Sequence, residues 1–146
     1  VDHDRRKLRS YDLPPFEAAI NAGVPMVMVG HLLYPAVDPE RPASLSSEAI
    51  GILRGELGFD GVVVTDDLAM AGATGGGPPA RAAVEAVEAG ADLLLISSPP
   101  QQQADAYDAV VEAVESGEIP RERVEASVER VLRVKEDYPL SDTGAR

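Results

Sequence analysis

The chain reads as a parallel α/β fold, with about three strands and flanking helices. Three apolar runs predict this: 25–31, 61–67 and 91–97, none of which alternates apolar and polar residues. Continuous apolar strands are expected where both faces are buried, as in parallel sheets. The runs recur roughly every 30 residues, the length of one strand–helix unit. Helical patterns punctuated by Pro and Gly stand between them, so the units are consecutive.

Each element has its own local reason. Residues 14–23 open with Pro14 and Pro15 and close with Gly23, the usual helix asymmetry. A strand then runs to His31. Residues 32–45 form a long linker with Pro35, Pro39 and Pro42, and loops of that length are often functional. Ser46 is placed to cap the next helix, with Glu48 in its first turn. Its apolar stripe is Ile50, Leu53 and Leu57, and Gly58 suits the position just past its end. The strand 61–67 follows, then a glycine-rich flexible loop at 71–78. A third helix runs from Pro79 to Ala89, with Ala80, Ala83, Val84 and Val87 on one face and Gly90 as its stop. After the strand at 91–97, a helix at 103–116 turns Tyr107, Val110, Val111 and Val114 inward. A last helix starts at Pro120, carries Val124, Val128, Val131 and Leu132 as its stripe, and ends before Pro139.

Composition narrows the function classes. The 146 residues suffice for one domain with a core, and 45% hydrophobic content is that of a folded chain. The absence of Cys removes disulfides, thiolate metal sites and a Cys nucleophile. A net charge of −12 argues against nucleic-acid partners, since the basic cluster Arg5, Arg6, Lys7 and Arg9 is short. No apolar stretch reaches the roughly 20 residues of a membrane span. The charged first residues do not read as a signal peptide, and the compartment stays open between cytoplasmic and exported.

The polar strand ends are where chemistry is expected. The first run ends in His31, the second in Asp66 and Asp67, the third in Ser97 and Ser98. Parallel strands place these ends on one rim, beneath the loops 32–45 and 71–78. Side chains alternate along a strand, so one carboxylate of the pair should face a pocket and the other should bond to the scaffold. The pocket carboxylate is a nucleophile, a general base or a metal ligand, or else the pair simply caps the following turn. His31 is either a satisfied structural residue or a ligand. Gly75, Gly76 and Gly77 lack the Lys and spacing of a phosphate loop and read as a lid, hinge or linker. Asp2, His3 and Asp4 look like a metal cluster, but at a chain end they read as structural.

The stretch 53–70, with its Leu53-Arg54 helix end, Gly58-Phe59, apolar strand and Thr65-Asp66, resembles glycoside hydrolase family 3. Asp12-Leu13-Pro14-Pro15-Phe16, residues 22–31, Tyr34-Pro35, residues 42–46 and residues 89–95 are similar too, in order and spacing. The Asp66-Asp67-Leu68-Ala69-Met70 form is similar to the β-N-acetylhexosaminidase branch, whereas the β-glucosidase branch usually has an aromatic residue in place of Asp67.

The resemblance implies a retaining glycosidase that removes terminal β-linked N-acetylglucosamine from a carbohydrate substrate. It implies a (β/α)8 TIM-type barrel, of which this chain carries a part. Asp66 matches the nucleophile. His31 matches a strand-end residue lining the sugar site, and Asp67 and Met70 match positions shaping the pocket. Arg54 is expected to anchor its helix. No metal and no cofactor are implied. Residues 1–140 correspond to the C-terminal portion of the catalytic domain, and 141–146 to a tail.

The branch's acid/base loop, an Asp-Ser-His, and its Lys-His-Phe-Pro-Gly-His-Gly segment have no counterpart in this sequence. Asp2-His3-Asp4 lacks the Ser, so Val1 is expected to lie just past that loop. Three strands cannot close a barrel, so the isolated chain is expected to expose an apolar face and a strand edge. It should then self-associate or pair with a missing N-terminal barrel half, and its own turnover should be very weak. The rival readings are a β-glucosidase of the same family, a non-catalytic α/β module binding sugar or protein, and a metal-dependent hydrolase using His31, Asp66 and Asp67.

Overall fold

The computed structural model describes residues 1–138, and the tail expected at 141–146 lies outside them. Three parallel strands, β1 (Met26–Val29), β2 (Val62–Asp67) and β3 (Leu93–Leu95), form one sheet in that order. Val27 pairs with Val63 and Val29 with Thr65, while the β2–β3 pairing carries an irregularity between Val64 and Asp67. The expected parallel arrangement is present.

Among the described residues seven α-helical segments flank the sheet: α1 (Arg5–Lys7), α2 (Pro14–Asn21), α3 (Ser47–Gly51), α4 (Ala71–Thr74), α5 (Ala80–Ala89), α6 (Pro100–Ser116) and α7 (Arg121–Asp137). The local signals act as the sequence suggests. Ser46 Oγ accepts the Ala49 N–H at 3.2 Å, relieving one unpaired donor of the first turn of α3. Gly90 ends α5 at φ +119°, and a Cβ there would lie 2.9 Å from Ile50 Cγ2, so both backbone and space call for glycine. Gly61 enters β2 with no room for a side chain: a Cβ would stand 2.5 Å from the Pro25 carbonyl oxygen. That oxygen accepts the Val62 N–H, at 2.9 Å.

Three expectations need correction. First, α6 starts at Pro100 rather than 103, because Pro lacks only an N–H that the first turn leaves unpaired anyway. Second, Tyr107 is 70% exposed rather than inward. The buried residues of α6 are Ala106 and Ala113, and α5 contributes Ala82, Ala83 and Ala86 to the same core. Alanine-lined helices approach too closely to admit a phenol ring between them. Third, Val128 and Leu132 of α7 are each 50% exposed, whereas Ser127 is buried. Polar bonds from Arg123, Ser127 and Arg130 to Asp92 set how this helix lies. The loop after β2 is also more ordered than expected, since α4 occupies its first half and Gly75 closes it at φ +64°.

The core lies on one side of the sheet. Val27 and Val63 pack with Ile50, Leu53, Ala83 and Ala86 from α5 and the segment that begins with α3. Alternation turns Met26, Met28 and Val62 to the opposite face. Val62 is fully buried there, whereas Met26 is 37% and Met28 53% exposed. The described residues therefore cover one face and only part of the other. Among the described residues, β1 pairs on one edge alone. No described helix is long and apolar enough to cross a membrane.

Candidate active site

The strand ends meet as the rim reading expects, and Asp67 is the residue that joins them. Its Oδ1 accepts the N–H groups of Ala69 and Ser97, both at 3.0 Å. Its Oδ2 accepts the Ser97 hydroxyl in a short contact. Its carbonyl accepts the Met70 N–H at 3.0 Å and His31 Nε2–H at 2.9 Å. Asp67 is thus tied to β3 through its carboxylate and to the end of β1 through its carbonyl.

The bonds from Ser97 hold the Asp67 carboxyl below the usual aspartate range, the side-chain bond contributing most. A carboxyl whose pKa is lower folded than unfolded stabilises the fold above the unfolded value and loses that contribution as pH falls through the folded one. The clasp between Asp67 and Ser97 should therefore persist as pH drops through the ordinary carboxylate range. A carbon-detected NMR titration of the Asp67 carboxyl checks this, and a midpoint at or above the ordinary aspartate value would contradict it.

Asp66 is the other member of the pair, half-buried near the end of β2 where the pairing with β3 is irregular. Its Oδ1 accepts the Asp67 N–H at 2.8 Å. Among the described residues no group donates to its second oxygen, which leaves a lone pair available for chemistry. The sequence shows that the two carboxylates diverge; the contacts to Ser97 show which one is consumed by the scaffold.

His31 has both ring nitrogens engaged. Nδ1 lies 2.7 Å from Ser44 Oγ, and Nε2 binds the Asp67 carbonyl. A ligand for either nitrogen would have to displace one of these bonds. Gly72 of α4 closes over it, since a Cβ there would stand 3.0 Å from His31 Cβ. Met70 is 48% exposed beside the pair. Among the described residues, no three His, Asp or Glu side chains converge as a metal-holding group.

Sequence reasoning passed over Ser44 and left Ser97 without a role. Ser44 lies in the similar stretch 42–46, which was its one available signal. His3 is bonded through Nδ1 to Asp12 Oδ2 at 2.6 Å, with Tyr11 edge-on to its ring, so the terminal acidic–His cluster works as an anchor. An apolar cavity of about 190 Å³, lined by Leu8, Phe16, Val27, Met28, Tyr34 and Ile52 among others, lies beside β1 and does not include either carboxylate.

The sequence profile described as "Glycosyl hydrolase family 3 N terminal domain" matches residues 1–134. The chain belongs to glycosyl hydrolase family 3. Among its family 3 relatives is beta-hexosaminidase A of Pseudoalteromonas piscicida, 36% identical over 160 residues, covering 97% of this chain and 27% of that protein. Beta-hexosaminidase of Stenotrophomonas maltophilia (strain K279a) is 48% identical over 95 residues, covering 64% of this chain and 28% of the relative. The solved family 3 beta-N-acetylglucosaminidase from Paenibacillus sp. str. FPU-7 superposes with a TM-score of 0.89 at 47% identity, over 98% of this chain and 28% of that one. The three parallel strands and their helices are thus part of the TIM-barrel-type fold of the family 3 domain. The chain spans less than a third of the length of each of these relatives.

Proposed function

We propose that Asp66 is the nucleophile of a retaining β-N-acetylhexosaminidase, which removes terminal β-linked N-acetylglucosamine. The observation that carries this is the division within the carboxylate pair: Asp67 is bonded to Ser97 and Ala69, while among the described residues Asp66 keeps one oxygen without a donor. Similarity to beta-hexosaminidases supports the branch.

In this reading Asp66 attacks the anomeric carbon as the glycosidic C–O bond breaks, giving a covalent glycosyl-enzyme and retained configuration after hydrolysis. The departing oxygen takes a proton from an acid on the opposite side of the sugar. Asp67 and Met70 form the wall beside the nucleophile. His31 holds that wall through the Asp67 carbonyl. The acid is half of the mechanism, so the isolated chain should turn over very slowly. The exposed Met26 and Met28 face and the edge of β1 are where a second copy or further strands of a family 3 barrel would bind.

The test compares aryl β-N-acetylglucosaminide with aryl β-glucoside on the full-length protein. A kcat/KM ratio of at least about 10²-fold in favour of the N-acetyl substrate is expected, since pocket contacts to an amide discriminate strongly when they are lost. Preference for the glucoside would move the protein to the β-glucosidase branch. Sugar binding by the full-length protein without turnover of either substrate would instead support a non-catalytic module, the reading favoured by the exposed Met26 and Met28 face.

A further inference from the structure

We propose that Ser44 is a positioning residue for the carboxylate pair and acts by holding the His31 ring so that its Nε2–H stays on the Asp67 carbonyl. The proposal rests on the reading of Asp66 as nucleophile. Ser44 lies in the 3₁₀ turn Ala43–Leu45 of the linker between β1 and α3, and it is fully buried. Among the described residues its hydroxyl has one hydrogen-bond partner, His31 Nδ1 at 2.7 Å. A carbonyl oxygen only accepts, so His31 Nε2, 2.9 Å from the Asp67 carbonyl, carries a proton. In the neutral ring Nδ1 is then the acceptor and the Ser44 hydroxyl is the donor.

The consequence reaches Asp66 through one residue. The Asp67 carbonyl is held by His31 and the Asp67 N–H holds Asp66 Oδ1 at 2.8 Å. Ser97 fixes the same residue from the β3 side. Asp67 is therefore pinned between two strand ends, and the β1 pin depends on how the His31 ring is held. The Asp67 carbonyl selects the Nε2–H tautomer with or without Ser44, but Ser44 is the group that holds the other side of the ring. Without it the ring can turn about its Cβ–Cγ bond, and the Nε2–H bond to the Asp67 carbonyl lengthens or breaks. A nucleophile displaced by a fraction of an ångström loses rate while the sugar still binds.

The test uses the full-length protein with Ser44→Ala, Ser44→Thr and, as a control, Asp66→Asn. Proton NMR should show the His31 Nε2–H as a downfield, slowly exchanging resonance in the wild type, and shifted upfield or lost to solvent exchange in Ser44→Ala. Turnover of an aryl N-acetylglucosaminide by Ser44→Ala should fall about tenfold to 100-fold in kcat, with KM changed less than about twofold. Ser44→Thr, which keeps the hydroxyl, should restore both the Nε2–H resonance and most of kcat. Unchanged kcat in Ser44→Ala, or a lost kcat with the wild-type Nε2–H resonance intact, would overturn the proposal. If Ser44→Ala does not fold, Ser44→Cys, a weaker donor of similar size, supplies the same two readouts. Asp66→Asn separates the two ideas: full turnover there removes the nucleophile assignment, whereas inactivity there with normal Ser44→Ala removes only the positioning role.

Discussion

Asp66→Asn in the full-length protein should lower kcat by about 10⁴-fold or more, the scale of losing the attacking group in covalent catalysis. The substitution is close to isosteric, and the Asn side-chain oxygen can still accept the Asp67 N–H that Asp66 Oδ1 accepts at 2.8 Å. The fold is thus expected to hold, and the loss reports chemistry. What disappears is the second oxygen, replaced by an amide nitrogen that is no nucleophile. Asp67→Asn should behave differently. It keeps one acceptor but puts an NH₂ donor toward Ser97, where two donors already converge on the carboxylate. The rate should drop because the wall moves, yet a covalent glycosyl-enzyme should still be trapped and seen as added mass on the peptide carrying Asp66. Trapping that survives Asp66→Asn but is abolished by Asp67→Asn would reverse the assignment.

The features legible in the sequence are those whose causes are local. Ser46, Gly58 and Gly90 mark helix ends because capping and positive φ are decided within a few residues. The three apolar runs become the three strands: β-branched Val favours extended backbone in β1 and β2, and the short run bounded by Gly90 and Pro99 is of strand length in β3. The features that escaped depend on partners distant in sequence. Alternation says that Asp66 and Asp67 diverge, but Ser97, 30 residues on, decides which one is tied down. Tyr107 reads as inward at helical spacing, and only the alanine faces of α5 and α6 explain why it is outside. Ser44 carries no signal of its own, because its meaning lies in a ring at His31, 13 residues earlier. Asp92 likewise stands inside an apolar run, and its partners Arg54, Arg123 and Arg130 lie 31–38 residues away.

Asp92→Ala should destabilise the protein by about 3–5 kcal/mol, the cost of removing one partner from a buried ion pair. The Asp92 side chain is fully buried, among guanidinium groups that are 20–24% exposed. Its Oδ2 accepts from Arg54 Nη2 at 2.6 Å and from the Val63 N–H at 2.9 Å. Its Oδ1 accepts from Ser127 Oγ at 2.7 Å, Arg130 Nη1 at 3.1 Å and Arg123 Nη1 at 3.4 Å. Burial pushes the Arg54 and Arg123 guanidinium groups below their ordinary values, and Asp92 is the charge that opposes this. Removing it leaves three cations facing one another with no counter-charge at their centre. The remaining acid nearby, Asp60, is exposed and reaches Arg130 Nε only at 3.9 Å, so that buried nitrogen already lacks a hydrogen bond. Asp60→Ala, which breaks an exposed pair with Arg133, should cost less than about 1 kcal/mol and serves as the comparison. Both values come from urea unfolding of the full-length protein, and equal costs for the two substitutions would refute the central role of Asp92. The damage should also be local before it is global. Half-exposed Val128 and Leu132 give α7 little apolar attachment, so its hold on the sheet rests on Arg123, Ser127 and Arg130. Amide exchange in Asp92→Ala should rise first along Arg121–Asp137 and at the start of β2, where Val63 loses its acceptor, while the Asp67–Ser97 end of the sheet stays protected.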